Sequence, residues 1–179
     1  MKKLTAILSS IAVILVACSN NEELSREEAL RLISRTMEYP KVVDYDIYCS
    51  DPKFAEKVLD AGLEEKGLVV VQRTQKLRDV NKPLIQFSGK AEQYLLKTPE
   101  KDKSIDVQKV KLAEEELQEV TGIKMMDDGK SAVANYTTAY KNITPFADLI
   151  ERDLNKQEVH KAYFSLYDNG WQYEKKPEY

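Results

Sequence analysis

A single histidine, two cysteines and six glycines leave little material for the commoner catalytic and cofactor sites. No glycine-rich loop that could cradle a phosphate is present, and no nucleophile elbow. No paired-carboxylate motif stands out from ordinary surface acids. A bilayer-spanning run is also missing. The apolar stretch Leu4 to Val16 includes Thr5, Ser9 and Ser10, and it falls short of the about 20 apolar residues that a crossing needs. Positive charge is not in excess either. The 27 basic residues stand against 30 acids, for a formal charge of −3, which argues against a general nucleic-acid binder.

What is present begins at the amino terminus. Met1-Lys2-Lys3 precedes that apolar stretch, and Leu15-Val16-Ala17-Cys18 closes it. A short basic start, an apolar run and a small-residue processing site read as a secretory signal peptide. Leu15-Val16-Ala17-Cys18 resembles the lipobox of bacterial lipoproteins. The resemblance covers the first nineteen or so residues, and all four box positions hold residues that the family uses. It implies that residues 1–17 are removed as a signal peptide. It further implies that the Cys18 thiol receives a diacylglycerol and that the new amino terminus is often acylated as well. Ser19 follows the cysteine where inner-membrane retention in such proteins is typically signalled by aspartate. The expected location is therefore the cell membrane through a lipid anchor. In a cell with two membranes it is the periplasmic face of the outer one, and in a single-membrane cell the outer face of the plasma membrane.

The mature chain would hold 179 − 17 = 162 residues, and losing Lys2 and Lys3 takes its charge from −3 to −5. That length suits one ordinary domain or two small ones. With Cys18 acylated, Cys49 is left without a disulfide partner, so packing must supply the stability. One histidine and one available cysteine also fall short of the three or four ligands of a zinc site. No metal and no cofactor is expected.

Along the chain, residues 18–23 form a lipid-anchored linker. The five residues Ser19 to Glu23 reach about 17 Å stretched and roughly 12 Å as a coil. Ser25 and Glu28 make a capping box, in which the Ser25 hydroxyl accepts from the Glu28 amide and the Glu28 carboxylate returns to the Ser25 amide. A helix over 26–38 follows, stopped by Tyr39-Pro40. Residues 41–50 carry no assigned element. Asp51-Pro52 opens a second helix with Phe54, Ala55, Val58, Leu59 and Leu63 on one face and Gly67 as its stop. Strands are expected over 68–71 and 83–87, joined by a polar connection, with a turn into a short helix over 88–96. Leu63 to Val69 and Phe87 to Leu95 resemble the two ends of a wing in the winged-helix fold, although no recognition helix rich in Arg, Asn and Gln accompanies them.

A charged break at 99–103 divides a subdomain over 24–98 from one over 104–179. In the second, strands are expected over 105–113, 117–126, 131–141, 158–167 and 171–173, with a bulge or bend where alternation fails near Val110 and Leu112. Asp127-Asp128-Gly129 and Asn169-Gly170 are hairpin turns. The first of these, like Asp168-Asn169-Gly170, has calcium-loop composition without the acid at the twelfth position. A short helix is expected over 145–154. The fold class is α+β: N-terminal helices with a short β-hairpin, then a meandering antiparallel sheet packed by the helices at 26–38 and 145–154.

Three constellations could carry function. Cys49 and His160 would make a thiol–base dyad if they met. His160 shares strand parity with Ala162, Phe164 and Leu166, and Tyr48-Cys49-Ser50 lies where a small buried residue is common. The segment Arg73 to Lys90 is net +4, with Arg73, Lys76 and Arg78 at its start. It is either a contact for an anionic partner or a solvated hairpin tip. Tyr136, Tyr140, Tyr163, Tyr167 and Tyr173, with Trp171 nearby, either line a binding surface or fill the gap between sheet and helix. The functional expectation is a non-enzymatic binding or assembly-support module of the cell envelope. Its partners would be the membrane through Cys18 and another envelope protein or a small ligand, with no nucleic acid. The alternative is an envelope hydrolase or transferase using Cys49 or an unrecognised acid pair.

Overall fold

The computed structural model describes residues 23–74 and 82–175. The expected signal peptide, Cys18 and the expected linker as far as residue 22 lie outside the described residues, as do Lys76 and Arg78. The architecture is α+β, with a mostly antiparallel arrangement of strands. No described helix is long and apolar enough to cross a membrane.

Helix α1, Arg26–Met37, starts where its cap predicts. The Glu28 amide donates to Ser25 Oγ at 3.1 Å. The return half of the box is replaced, since the Glu28 carboxylate lies 3.7 Å from the Arg31 guanidinium. Ser25→Ala leaves that amide unpaired and should lower stability by about 1 kcal/mol. A urea midpoint that does not move would show that the cap contributes nothing. The helix ends on Glu38 in the left-handed region (φ 56°), and a cis Tyr39-Pro40 bond turns the chain.

Strand β1, Lys41–Tyr48, follows where no element was expected. Its alternation is visible in retrospect: Val43, Tyr45 and Ile47 turn inward, half-buried to fully buried, while on the other face Val42, Asp44 and Tyr48 are exposed and Asp46 is half-buried. β1 pairs with β4, Val107–Met125, so the five-stranded sheet runs β1-β4-β5-β6-β7. The other strands are β5, Ser131–Lys141, β6, Glu158–Tyr167, and β7, Gly170–Glu174. β4 replaces the two strands expected at 105–113 and 117–126. The broken alternation is absorbed by bulges, at Leu112 against β1 and near 118–121 against β5, and Leu112 and Ala113 are buried in succession.

Helix α2, Pro52–Asp60, is shorter than expected because Gly62 takes φ +66°, and turns carry the chain on to Gly67. Leu63 is nevertheless fully buried. Strands β2, Val69–Val71, and β3, Ile85–Phe87, pair as a separate two-stranded sheet. A 3-10 turn at Glu92–Tyr94 and a four-residue helix α3, Glu100–Lys103, complete the links to β4. The helix expected at 145–154 is instead a 3-10 turn, Pro145–Leu149, capped by Thr144. The reason lies in the packing. Phe146 and Leu149 enter the core around Ile47, Val58, Val110 and Leu112, while Leu154 joins Ala113 and Tyr140 in a separate cluster. The chain leaves the turn extended at Ile150 to reach that second place. A further core sits under α1, where Leu24, Ala29 and Ile33 meet Val120, Ala134, Phe164 and Trp171.

Candidate functional site

Strand register builds the polar centre of the sheet. Tyr136 lies opposite His160, Thr138 opposite Glu158, and Glu115 opposite Tyr140. All these side chains fall on the face that carries α1, because the bulges in β4 keep Glu115, Leu117 and Val120 in phase with alternate residues of β5. The Tyr136 and His160 rings stack at 5.1 Å, and His160 Nε2 sits 2.9 Å from Thr138 Oγ1. Glu115 Oε1 and Glu158 Oε2 approach the same nitrogen at 3.6 Å and 3.9 Å. Arg152 pairs with Glu158 at 3.0 Å and donates to the Tyr140 hydroxyl at 3.0 Å.

Tyr39 completes the cluster from the turn after α1, its phenol close enough to that of Tyr136 for the two to interact. Burial raises its phenol, and Tyr136 and the charge of Glu115 act in the same direction. Burial and Glu158 raise Tyr140 likewise. Both rings therefore stay protonated and act as neutral hydrogen-bonding groups.

This geometry does not make a nucleophile. A relay needs the acid on the ring nitrogen away from the hydroxyl, and here both carboxylates meet the nitrogen that Thr138 already holds. Thr138 is also fully buried. Glu115 and Glu158 are the nearest approach to an acid pair at the cluster, and Arg152 compensates the second. What the arrangement can do is recognise. Beside it, between α1 and β4, a groove of about 470 Å³ is lined by Leu30, Arg31, Ser34, Tyr39, Pro40 and Leu117, with Glu27 and Glu116 at its border. Apolar walls with a few charges at the rim suit a small amphipathic ligand or a partner's side chains.

The tyrosines expected to act together divide between the two faces of the sheet. Tyr136, Tyr140 and Trp171 are buried on the helix side. Tyr163 is half-buried on the other face, and Tyr167, more than half exposed, donates there to Glu174 at 2.9 Å. Arg73 forms an ion pair with Glu64. Sequence reading missed Tyr39, Glu115, Thr138 and Arg152. Nothing in their spacing announces them, because only the pairing of three strands and a turn brings them together.

Cys49 and His160 stay apart. Cys49 follows the end of β1 that pairs with Val107, while His160 reaches Glu115, eight residues further along β4 and on the order of 25 Å away. The Cys49 thiol donates to the Ile47 carbonyl at 3.6 Å. Burial, and then Asp106, push it up to about 11 from the usual 9.0. At pH 8 the folded protein should react with a thiol reagent about 100-fold more slowly than the denatured chain. Fast labelling of the folded form would restore the cysteine as a nucleophile. The sign for stability follows from a raised folded value. The thiol's contribution is present in full below pH 9 and is lost as pH rises toward 11. The stability difference between wild type and Cys49→Ala should shrink over that window.

Among the described residues no cluster of three or more His, Cys, Asp or Glu could hold a metal ion. Asp128 instead serves its turn, accepting from the Lys130 and Ser131 amides and the Ser131 hydroxyl, which hold its carboxyl below the usual range. Comparison of the chain with protein-family models, with curated proteins and with solved structures gives no match.

Proposed function

We propose that this chain is a cell-envelope lipoprotein, held to a membrane through acylated Cys18, whose domain is a non-enzymatic binding or assembly-support module. The observation that carries the reading is Leu15-Val16-Ala17-Cys18 at the end of a basic-started apolar run. The short linker supports it, since α1 begins at Arg26, only eight residues after Cys18. A binding role draws support from the groove beside Tyr39 and from a polar cluster suited to holding neutral hydrogen-bonding groups. In this reading residues 24–98 bring α1, α2, the wing-like hairpin and the edge strand β1, and residues 104–179 the other four strands of the sheet. The hydrolase or transferase alternative through Cys49 is disfavoured by the burial and raised pKa of its thiol.

The test is the intact mass of the mature protein purified from membranes. A product starting at Cys18 and carrying acyl chains is expected, and an unmodified cysteine or another start overturns the reading. With Ser19 behind the cysteine, fractionation of a two-membrane cell should place the protein in the outer membrane. Recovery with the inner membrane would contradict that assignment.

A further inference from the structure

β4 outruns the strand beside it. The last β1 pair is Lys41 with Glu115, and the chain before Lys41 turns away through Pro40 and Tyr39 to α1. β4 continues to Met125, held on its other side by β5. Over Glu116–Met125 the edge that β1 leaves uncovered is therefore open, with no backbone partner among the described residues. A side chain meets one group of this stretch, since the Glu116 carbonyl accepts the Gln118 amide at 3.4 Å. Register tells which other groups point outward. The Met126 amide donates to the Ser131 carbonyl at 2.8 Å, so Lys124 bonds β5 in the same phase. The amides and carbonyls of Ile123 and Met125 then turn to the open edge.

The groove beside α1 starts where β1 stops. Its sheet wall is Glu116 and Leu117, the first two residues past the last β1 pair, and its helix wall is Glu27, Leu30, Arg31 and Ser34. Leu30, Tyr39 and Leu117 are only half-buried there. Backbone groups left open along a strand call for an extended polypeptide, which supplies amides and carbonyls at the matching spacing. Alternate side chains of such a segment fall on the face that carries α1, where Leu117, Ile123 and Met125 already pack. Apolar ones would cover Leu30, Tyr39 and Leu117. Charge selects further. Among the described residues Glu27 and Glu116 enter no ion pair, whereas Arg31 lies 3.7 Å from Glu28. The two walls thus carry uncompensated acids that favour Lys or Arg on the segment. Glu116 is one position out of phase with Leu117, so the basic residues fall between the apolar ones. A second copy of this chain fits less well. The inward side chains of its β4 are already spent under its own α1, so pairing β4 with β4 leaves both grooves unfilled. The register shifts near 118–121 also bend this edge, which discourages a long flat partner and suits a short one.

We propose that the open edge of β4, Glu116 to Met125, together with the groove beside α1, receives a short extended segment of a partner protein, apolar at alternate positions and basic between them. The segment adds to the sheet as a further strand in line with β1. The inference deepens the binding role proposed above and rests on it, but not on acylation of Cys18.

The probe is a dye-labelled peptide of alternating valine and lysine, titrated against the full-length protein by fluorescence anisotropy. Replacing its lysines by glutamate should weaken binding about 10-fold. N-methylation of one alternate set of its amides should also cost about 10-fold and that of the other set little, because an added strand turns only one set to its neighbour. Glu27→Lys with Glu116→Lys should reverse the charge preference, weakening the lysine peptide and strengthening the glutamate one. Hydrogen exchange locates the peptide. Near saturation the outward amides of Ile123 and Met125 should slow about 10-fold, while that of Lys124, already bonded to β5, should not change. Binding that ignores N-methylation, or that leaves the Ile123 and Met125 amides exchanging as before, overturns strand addition. So does the absence of binding at about 1 mM peptide. Self-association in sedimentation, with those two amides protected before any peptide is added, overturns it in favour of a second copy. All of these results leave the anchor standing, because the intact mass decides that separately.

Discussion

Replacing Cys18 by alanine should remove the mature protein from the membrane fraction, leaving either a soluble product or an unprocessed precursor. The size of the effect follows from the acyl chains. Each buried methylene contributes about 0.8 kcal/mol, so one chain binds reversibly while the two of a diacylglycerol hold the protein firmly. No described helix could substitute for them. The change should therefore be close to complete in fractionation after a high-salt wash. A mature Cys18→Ala product that still sediments with membranes would overturn the anchor.

The largest stability effect should come from Phe146. It is fully buried, with the Phe87 ring at 6.2 Å and the Tyr94 ring edge-on at 6.0 Å. It sits on a short 3-10 turn, in the core that α2, β1, β2, β3 and β4 share. Phe146→Ala should cost about 3–5 kcal/mol, from lost transfer energy and a cavity that a core bounded by strands cannot readily close. Single domains have only about 5–15 kcal/mol in total, so this variant should be close to unfolding. Phe146→Leu keeps most of the volume and should cost markedly less. Urea denaturation of the two variants separates the outcomes. A Phe146→Ala loss below about 1.5 kcal/mol would mean that the site is not packed as described.

The α1 boundary and the hairpin turns were legible because each has a local cause. Ser25 caps α1, Glu38 ends it before Tyr39-Pro40, and Gly129 and Gly170 take the positive φ their turns need. β1 alternates as a strand should, yet the acids Asp44 and Asp46 and a position just after a proline hide it. Those acids serve a partner supplied by another strand, since Lys109 of β4 lies 2.8 Å from Asp44 and 2.7 Å from Asp46. The segment after Pro145 shows the opposite error. Phe146, Leu149, Ile150 and Leu154 have helical spacing, but they serve different clusters, and tertiary packing overrides the local pattern. The candidate site was legible only in pieces. Tyrosine enrichment pointed to the sheet, and parity gave the face of His160. The partition of Tyr163 and Tyr167 from Tyr136 and Tyr140 depends on whole-sheet register, as does the meeting of Glu115, Thr138 and Glu158 around one imidazole.

β4 has a consequence for how the domain opens. Over its 19 residues it pairs first with β1 and then with β5. It also places Val110 and Leu112, then Ala113, then Val120 in three separate apolar clusters. Neither end of the molecule can detach without breaking a strand that the other end needs. The amides of β4 that bond to neighbouring strands should therefore exchange with solvent deuterium only through unfolding of the whole domain, while α3 and the hairpin turns exchange by local opening. Cutting the chain inside β4 should leave two fragments that are each unfolded alone and regain structure only when mixed.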